Sequence, residues 1–310
     1  MKRRLTAASL FAAGTAIALA LTGCTNNPAA EGAAAAAAGS TASPAAIKVA
    51  KDAKAAALVP AAYKSGIKVA SDIPFAPYEM YDAQNQPTGF DYDLSQAIGQ
   101  TLGVPVSFDK QAFDTVIPSL LSNKFDMVMS GMNDTVEREK TLDFVDYTHA
   151  GFLIAVPAGN PKGIHTITDL CGKTASVQKA TQQGELLKHV DCAGHGTPIN
   201  VMELPADTDA QTAVRAGKSD AYVVDAPVGE YVIKTTGDGK VFQAVRDPKN
   251  PAGYEPIYSG IAVLKKHRDL TDAVLAAFDS LVRNGTYAEL LARYDLSPYA
   301  VHKAALNQAQ

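Results

Sequence analysis

An arginine ends the polar stretch SGMNDTVER, residues 130–138, which follows directly after the apolar run FDMVM. A guanidinium offers a planar fork of N–H donors that meets a carboxylate with two parallel hydrogen bonds. Arg138 therefore has the chemistry to hold the carboxylate of a small ligand. In the first turn of a surface helix the same residue would only form an exposed ion pair, and these nine residues alone do not separate the two interpretations.

Polar residues also end four predicted strands. IKVASD ends at Asp72, FDMVMSG at Ser130 and Gly131, KTASVQ at Gln178 and DAYVVD at Asp225. In open α/β sheets, ligands bind outside the carboxyl ends of the strands. A single Asp at such a position is better explained as the cap of the next helix. Four polar ends divided between two series of strands favour one shared cleft.

The elements that must position these residues alternate between strand and helix from residue 55 onward, which predicts an α/β fold with parallel sheets and helices on both faces. Helical spacing is clear in GFDYDLSQAIGQTLG, which Gly103 ends, and in DLTDAVLAAFDSLVRNG, whose apolar stripe includes Leu270 and Phe278. AALVPAAYKSG reads as a short helix. TVEREKTL reads as another, with Asp134 and Glu137 at capping-box spacing.

Length and charge limit the class of protein. The 310 residues suffice for two domains, and 47% of them are hydrophobic, so a sizeable core can be buried. The formal net charge is −4, and removing a leader that contains three cations changes it to −4 − 3 = −7. No basic face is evident, which argues against nucleic acid as a partner.

The N-terminus reads as a targeting segment rather than as part of the fold. MKRRL is a positive region, and the apolar stretch after it ends in LTGC, which resembles a bacterial lipobox. We predict a lipoprotein signal peptide over residues 1–23 and a diacylglycerol on Cys24. The alternative is a plain secretory signal in which Cys24 is incidental. Residues 24–54, rich in Ala, Gly and Ser, read as a flexible tether.

Two further cysteines, Cys171 and Cys192, are predicted to form a disulfide, because an even pair outside the cytoplasm is usually oxidised. The alternative is a four-ligand zinc site that would add His189 and His195, but their spacing is irregular for a zinc module. We therefore predict no metal and no cofactor.

Several motifs together resemble one family. They are IKVASDIPFAPYE, GFDYDLSQAIGQTLG, FDTVIPSLLSNKFDMVMSGMNDTVERE, LDFVDYTHAG, DLCGKTASVQKATQQ, AGKSDAYVVDAPV and RNGTYAELLARY. From about residue 60 to 296 the chain resembles the bacterial extracellular solute-binding proteins, family 3, of the amino-acid ABC transporters. The resemblance implies a two-lobed type II periplasmic-binding-protein fold, with two mixed sheets flanked by helices and joined by a two-strand hinge. The implied boundaries are 55–152 with 260–296 for lobe 1, 153–259 for lobe 2 and 297–310 for a C-terminal tail, with crossings near 150–154 and 258–262.

The resemblance also assigns roles within the cleft. Arg138 matches the arginine that grips the ligand's α-carboxylate, Asp225 the acid that takes the α-ammonium, and Phe75 and Phe113 the aromatics that enclose the ligand's side chain. Asn133 and Lys179 depart from the family pattern, which leaves their contacts with a ligand open. The complete set of expected ligand-binding residues is Asp72, Phe75, Asp91, Phe113, Ser130, Gly131, Asn133, Arg138, Gln178, Thr181, Gln182 and Asp225. Glu79, like Asp91, is a candidate for reading a charge on the ligand's side chain.

The implied function is transport rather than catalysis. The protein is expected to be a monomeric, extracytoplasmic, lipid-anchored binding protein that captures a free polar or charged amino acid and delivers it to an ABC transporter permease. The alternative is a dehydratase-type enzyme or an amino-acid sensor on the same scaffold. An enzyme would need a general acid in the cleft, and the six histidines fall outside the matched cleft motifs.

Overall fold

A computed structural model of the chain describes residues 47–309. The predicted signal peptide, the lipid site at Cys24 and the first part of the predicted tether lie outside these residues. Within the described part of the chain, no helix is long and apolar enough to cross a membrane.

The structure contains short strands interleaved with helices, in the alternating order that the sequence predicts. The strands are β1 (Ile67–Ser71), β2 (Met80–Tyr81), β3 (Pro87–Thr88), β4 (Val106–Lys110), β5 (Met127–Val128), β6 (Leu142–Pro157), β7 (Thr174–Gln178), β8 (Asn200–Leu204), β9 (Ala221–Asp225), β10 (Phe242–Val245) and β11 (Tyr254–Leu264). The α-helices are α1 (Ala53–Ala57), α2 (Phe90–Leu102), α3 (Val116–Leu121), α4 (Gln182–Lys188), α5 (Asp207–Arg215), α6 (Ala226–Thr235), α7 (Arg268–Arg283) and α8 (Thr286–Arg293).

The large sheet has the hydrogen-bonded order β4-β1-β5-β11-β6-β9-β7-β8, and β10 also pairs with β6. Strands β4, β1 and β5 are parallel to one another and form the first strand group. Strands β9, β7 and β8 are likewise parallel and form the second strand group. The antiparallel pair β6 and β11 lies between the two groups and joins them into one hydrogen-bonded path.

Strand β6 is long enough to serve both groups. Its 16 residues, LDFVDYTHAGFLIAVP, are buried almost throughout. At a rise of about 3.3 Å per residue they span roughly 50 Å. Its later part, GFLIAVP, is a continuous apolar run, which is typical of a strand covered on both faces. Its first part pairs with β11 and its later part with β9.

Helix α7 packs against the sheet with the apolar stripe that the sequence predicts. Leu270, Val274, Phe278 and Leu281 are all fully buried, and the helix packs against α2, β6 and β11. Each such side chain contributes on the order of 1.5–3 kcal/mol of burial free energy. The predicted end of α2 at Gly103 is also confirmed.

Two predicted helices are wrong in the structure. TVEREKTL forms only a 3-10 turn, Arg138–Lys140, because the residues before it are held by β11 and strand β6 begins at Leu142. The amide N–H of Asp134 donates to the carbonyl of Tyr258 at 2.8 Å, so the expected capping box does not form. AALVPAAYKSG divides into the end of α1 and a 3-10 turn, Ala61–Tyr63, with Pro60 between them.

The predicted disulfide between Cys171 and Cys192 is confirmed, and the bond lies at the edge of the core of the second strand group. Both cysteines are buried. The bond engages both sulfurs, so the alternative zinc site lacks its two thiolates.

Candidate functional site

The carboxyl ends of strands from both groups meet at one cleft. Strands β1 and β5 deliver residues from the first group, and β7 and β9 deliver residues from the second. The cleft is lined by Asp72, Phe75, Phe113, Ser130, Gly131, Asn133, Gln178, Thr181, Gln183 and Asp225. Nine of the twelve ligand-binding candidates from the sequence are therefore brought to one cavity.

Asp225 ends β9 and is almost fully buried. The side-chain amide of Asn133 donates to its Oδ1 at 2.9 Å, and that of Gln183 donates to its Oδ2 at 2.6 Å. Burial raises the pKa of Asp225 to about 6, against the lowering effect of these two amide donors. Each carboxylate oxygen keeps a second lone pair, so Asp225 can still accept a hydrogen bond from an ammonium group.

Arg138 lies at the margin of the cleft, in the 3-10 turn that follows the Ser130–Gly131 segment. Its Nη1 donates to the carbonyl of Asn133 at 2.7 Å, and its Nη2 donates to the carbonyl of Ala180 at 3.0 Å. The guanidinium lies 5.7 Å from the ring centre of Phe113. Burial lowers the pKa of Arg138 to about 10, so the group stays cationic at neutral pH.

Asp72 follows the last residue of β1 and faces Gln178 of the second strand group. The side-chain amide of Gln178 donates to its Oδ2 at 2.6 Å, and burial raises the pKa of Asp72. Phe75 and Phe113 line the same cavity, and Phe75 is stacked on Tyr78 with the ring centres 6.2 Å apart. A carboxylate and two aromatic rings thus line the same cleft.

Gly131 makes close packing at the base of the cleft possible. Its φ is +54°, which disfavours side chains, and an added Cβ would lie 2.7 Å from Cε1 of Phe75. Its amide N–H donates to Oδ2 of Asp91 at 2.9 Å. We call Ser130 and Gly131 together the cleft floor.

Four contacts connect the two strand groups across the cleft. Besides the bonds from Gln178 to Asp72, from Asn133 to Asp225 and from Arg138 to Ala180, an ion pair joins Lys179 to Asp114 at 2.5 Å. Lys179, which departs from the family pattern, is therefore used in this pair. Asn133 lines the cavity and holds the carboxylate of the opposite strand group.

A family model for the bacterial extracellular solute-binding proteins, family 3, matches residues 67–297. The chain belongs to this family. The match includes every residue that lines the cleft, and the fold is the type II periplasmic-binding-protein fold. A solute-binding protein is not an enzyme, so the dehydratase alternative is set aside.

Relatives of this solute-binding protein bind basic amino acids by name. The arginine-binding protein ArgT of Corynebacterium glutamicum is 28% identical over 246 residues, which cover 78% of this chain and 78% of that protein. The histidine-binding periplasmic protein of Salmonella typhimurium is 27% identical over 232 residues, covering 74% and 86%. The solved structure of an ancestral arginine-binding protein bound to arginine is 31% identical, with a TM-score of 0.64 and coverage of 74% and 97%.

Three expected site residues of the solute-binding protein do not line the cleft. Asp91 is fully buried and bonds the amide of Gly131. Arg138 lies at the margin, as described above. Gln182 lines a second cavity, between α4 and strands β6 and β11.

Gln183 takes the place in the cleft that the sequence analysis gave to Gln182. Helix α4 begins at Gln182. Gln183 lies four positions before Leu187, so the two residues are on the same face of the helix. Leu187 and Gln183 are both buried. The spacing from Leu187 is the signal in the sequence that could have identified Gln183. Thr181, just before the helix, lines the cleft, and its hydroxyl donates to the carbonyl of Gln178 at 2.6 Å.

Proposed function

We propose that this protein is the substrate-binding component of an amino-acid ABC importer and that its ligand is a cationic amino acid of the arginine or histidine type. The observation that carries the proposal is the arrangement of charge: two carboxylates, Asp72 and Asp225, line a cleft that has one guanidinium, Arg138, at its margin. Arginine carries the complementary set of two cationic groups and one carboxylate. The names of its relatives support the same class of ligand.

Each charge then has a role in the proposed complex. Arg138 holds the α-carboxylate, for which a guanidinium fork is suited. Asp225 accepts the α-ammonium, and Asp72 accepts the charged end of the side chain. Phe75 and Phe113 flank that side chain, where aromatic faces attract a cation by about 0.5–2 kcal/mol.

We infer that residues 55–152 with 260–296 and residues 153–259 act as two lobes that close on the ligand. The four contacts across the cleft support a closed arrangement, since each joins the two strand groups. Exposed ion pairs contribute only about 0–1 kcal/mol, but the same contacts strengthen when closure excludes water. A ligand that contacts both lobes therefore shifts the equilibrium toward closure. A micromolar dissociation constant requires about 8 kcal/mol in total.

Calorimetry with arginine, lysine, histidine and glutamine tests the proposal. We expect arginine or histidine to bind the wild-type protein, and Arg138→Ala to weaken binding at least about 100-fold, because the carboxylate loses its charged partner. The matched control is Arg246→Ala, since Arg246 is exposed and pairs with Glu230. Near-normal affinity in Arg138→Ala, or no binding of any amino acid to folded wild-type protein, would contradict the proposal.

A second substitution tests the choice of a cationic ligand. Asp72→Asn keeps an oxygen that can accept from Gln178 but removes the negative charge. We expect it to weaken arginine binding at least about tenfold and to change glutamine binding by less than about threefold. Asp109→Asn is the matched control, because Asp109 is exposed and bonds Ser107.

The proposal includes a lipid anchor at Cys24 and a permease that receives the ligand. The lipobox-like LTGC supports the anchor, and the anchor would keep the protein outside the cytoplasm at the membrane. Cys24→Ser should release the protein from the membrane fraction in detergent phase partitioning. Retention of this variant in the detergent phase would rule out lipidation at Cys24.

A further inference from the structure

Two carboxyl groups, Glu79 and Asp91, lie directly behind the cleft floor, and both side chains are 0% exposed. Neither lines the cleft, so a bound amino acid would not use them as its first contacts. A fully buried carboxylate is costly unless it is paired or accepts hydrogen bonds. Hydrogen bonds or a retained proton must therefore stabilise these two groups behind the cleft.

Each group holds one residue of the floor. The hydroxyl of Ser130 donates to Oε1 of Glu79 at 2.8 Å and accepts the amide N–H of Asp72 at 2.9 Å. The amide N–H of Gly131 donates to Oδ2 of Asp91 at 2.9 Å. The pair thus holds the two adjacent residues at the end of β5, together with the end of β1.

The two carboxyl groups also act on each other, since the negative charge of Asp91 raises the pKa of Glu79. Each group also has one buried oxygen, Oε2 of Glu79 and Oδ1 of Asp91, that has no hydrogen-bond partner among the described residues. Two carboxyl groups can hydrogen-bond only if one of them carries a proton. Burial raises the pKa of Glu79 well above its usual range and that of Asp91 to about 7.

The other titratable groups that act on the pair are Asp72, Tyr78 and Tyr147. Tyr147 donates its hydroxyl to Oδ2 of Asp91 at 2.9 Å. Asp72 acts through its negative charge, and Tyr78 stays neutral because burial and the nearby carboxylates raise its pKa. Negative charge on Asp72 favours the protonated state of Glu79.

We propose that Glu79 and Asp91 share one proton and, as a hydrogen-bonded pair, position the cleft floor for ligand binding. The inference rests on the proposed function only for the identity of the ligand. Loss of the shared proton would leave two buried carboxylates in contact, and their repulsion would separate the donors that each one holds. Glu79 and Asp91 are therefore positioning residues rather than ligand contacts, and the pair couples the shape of the cleft to pH.

Glu79→Gln is the informative substitution, because an amide can accept from Ser130 and donate to Asp91 at every pH. We expect it to bind arginine within about threefold of wild type at pH 6. Above the upper pKa of the pair, wild-type affinity should fall relative to the variant by up to about tenfold per pH unit. Glu79→Ala should weaken binding at every pH. Asp146→Asn is the control, since Asp146 is a buried acid of raised pKa that lies under the C-terminal segment.

The amide resonance of Gly131 tests the same proposal without any ligand. In the wild-type protein its proton shift should change with pH at the upper pKa of the pair, and the change should be absent in Glu79→Gln. A constant ratio of wild-type to Glu79→Gln affinities from pH 6 to 9.5, or the same Gly131 titration in both proteins, would overturn the proposal. If wild-type protein binds no arginine while Gly131 titrates as expected, the proposed ligand is wrong and the shared proton stands.

Discussion

Asp225 is held by two neutral amides, and this determines how its charge responds to pH. The donors from Asn133 and Gln183 stabilise the carboxylate without neutralising it. Since burial raises the pKa of Asp225 to about 6, the free protein takes up a proton near that pH. An ammonium group binds the ionised form, so ligand binding must displace this proton in mildly acidic solution.

We therefore expect amino-acid affinity to fall as the pH drops below 6, approaching about tenfold per pH unit. Calorimetry at pH 5, 6 and 7.5, in buffers of different ionisation enthalpy, would measure both the affinity and the proton released. The control is Asp207→Asn, because Asp207 has a raised pKa of about 6 but does not line the cleft. An affinity that stays constant from pH 7.5 to 5 would contradict the proposed role of Asp225.

The cleft floor depends on a residue without a side chain. Gly131→Ala would place a Cβ 2.7 Å from the ring of Phe75 at a φ of +54°. We expect at least about tenfold weaker ligand binding, because the ring must move, and a loss of about 1–2 kcal/mol in unfolding free energy from the left-handed backbone. Gly159→Ala is the matched control, with a φ of +80° and nothing within 4 Å of an added Cβ. It should lose similar stability and keep its affinity, as urea denaturation and calorimetry can show.

Among the elements, the C-terminal segment, residues 300–309, has no counterpart in the predicted helices and strands. It runs along β6 through bridges from Ala300 to Thr148 and from Leu306 to Val145. Asn307 accepts the amide N–H of Phe144 at 2.8 Å and donates to Asp143 at 3.0 Å. The segment thereby fastens the chain end to the strand that joins both strand groups.

Asn307→Ala should lower the free energy of unfolding by about 1–3 kcal/mol, because it leaves the amide of Phe144 without its acceptor. Gln308→Ala is the control, since among residues 47–309 the Gln308 side chain bonds only the carbonyl of Leu306. Urea denaturation of the two variants provides the comparison. Equal stability of both would show that the segment is not held through Asn307.

The sequence predicts those elements whose signals are local. The polar ends of β1, β5, β7 and β9 and the stripe of α7 are visible as patterns within a few residues, and the structure contains them where the patterns indicate. The 3-10 turn at Arg138–Lys140 was missed because a distant strand, β11, competes for the backbone of the preceding residues. Long-range pairing of this kind leaves no local pattern.

The same limit explains the errors within the site. Gln182 and Gln183 have the same chemistry, and only the register of α4 decides which of them enters the cleft. Asp91 was expected to contact the ligand, but its partner Glu79 comes from a separate part of the chain, and their contact is a property of the tertiary structure. The assignment of ligand contacts to the cleft residues stays a prediction until a ligand is bound.

At the scale of the whole molecule, the protein keeps several buried acids whose pKa is raised. Burial raises the pKa of Asp134 to about 7, of Asp146 to about 8 and of Asp207 to about 6, in addition to the groups around the cleft. Such a group still holds its proton in the folded protein at a pH where the unfolded chain has already released it. Between the two pKa values the folded state binds more protons, so stability falls as the pH rises.

We therefore expect the ligand-free protein to lose stability as the pH rises from about 4, the ordinary pKa of these carboxyl groups, to about 8. Each such group can change the free energy of unfolding by up to about 1.4 kcal/mol per pH unit between its two pKa values. The melting temperature at pH 8 should therefore be at least about 5 °C lower than at pH 5. Calorimetric melting at constant ionic strength measures this slope. Asp146→Asn should reduce the slope between pH 5 and pH 8, because the amide cannot ionise in either state. A melting temperature that rises across this range would mean that the buried acids are ionised in the folded protein, and the shared proton behind the cleft floor would then also be in question.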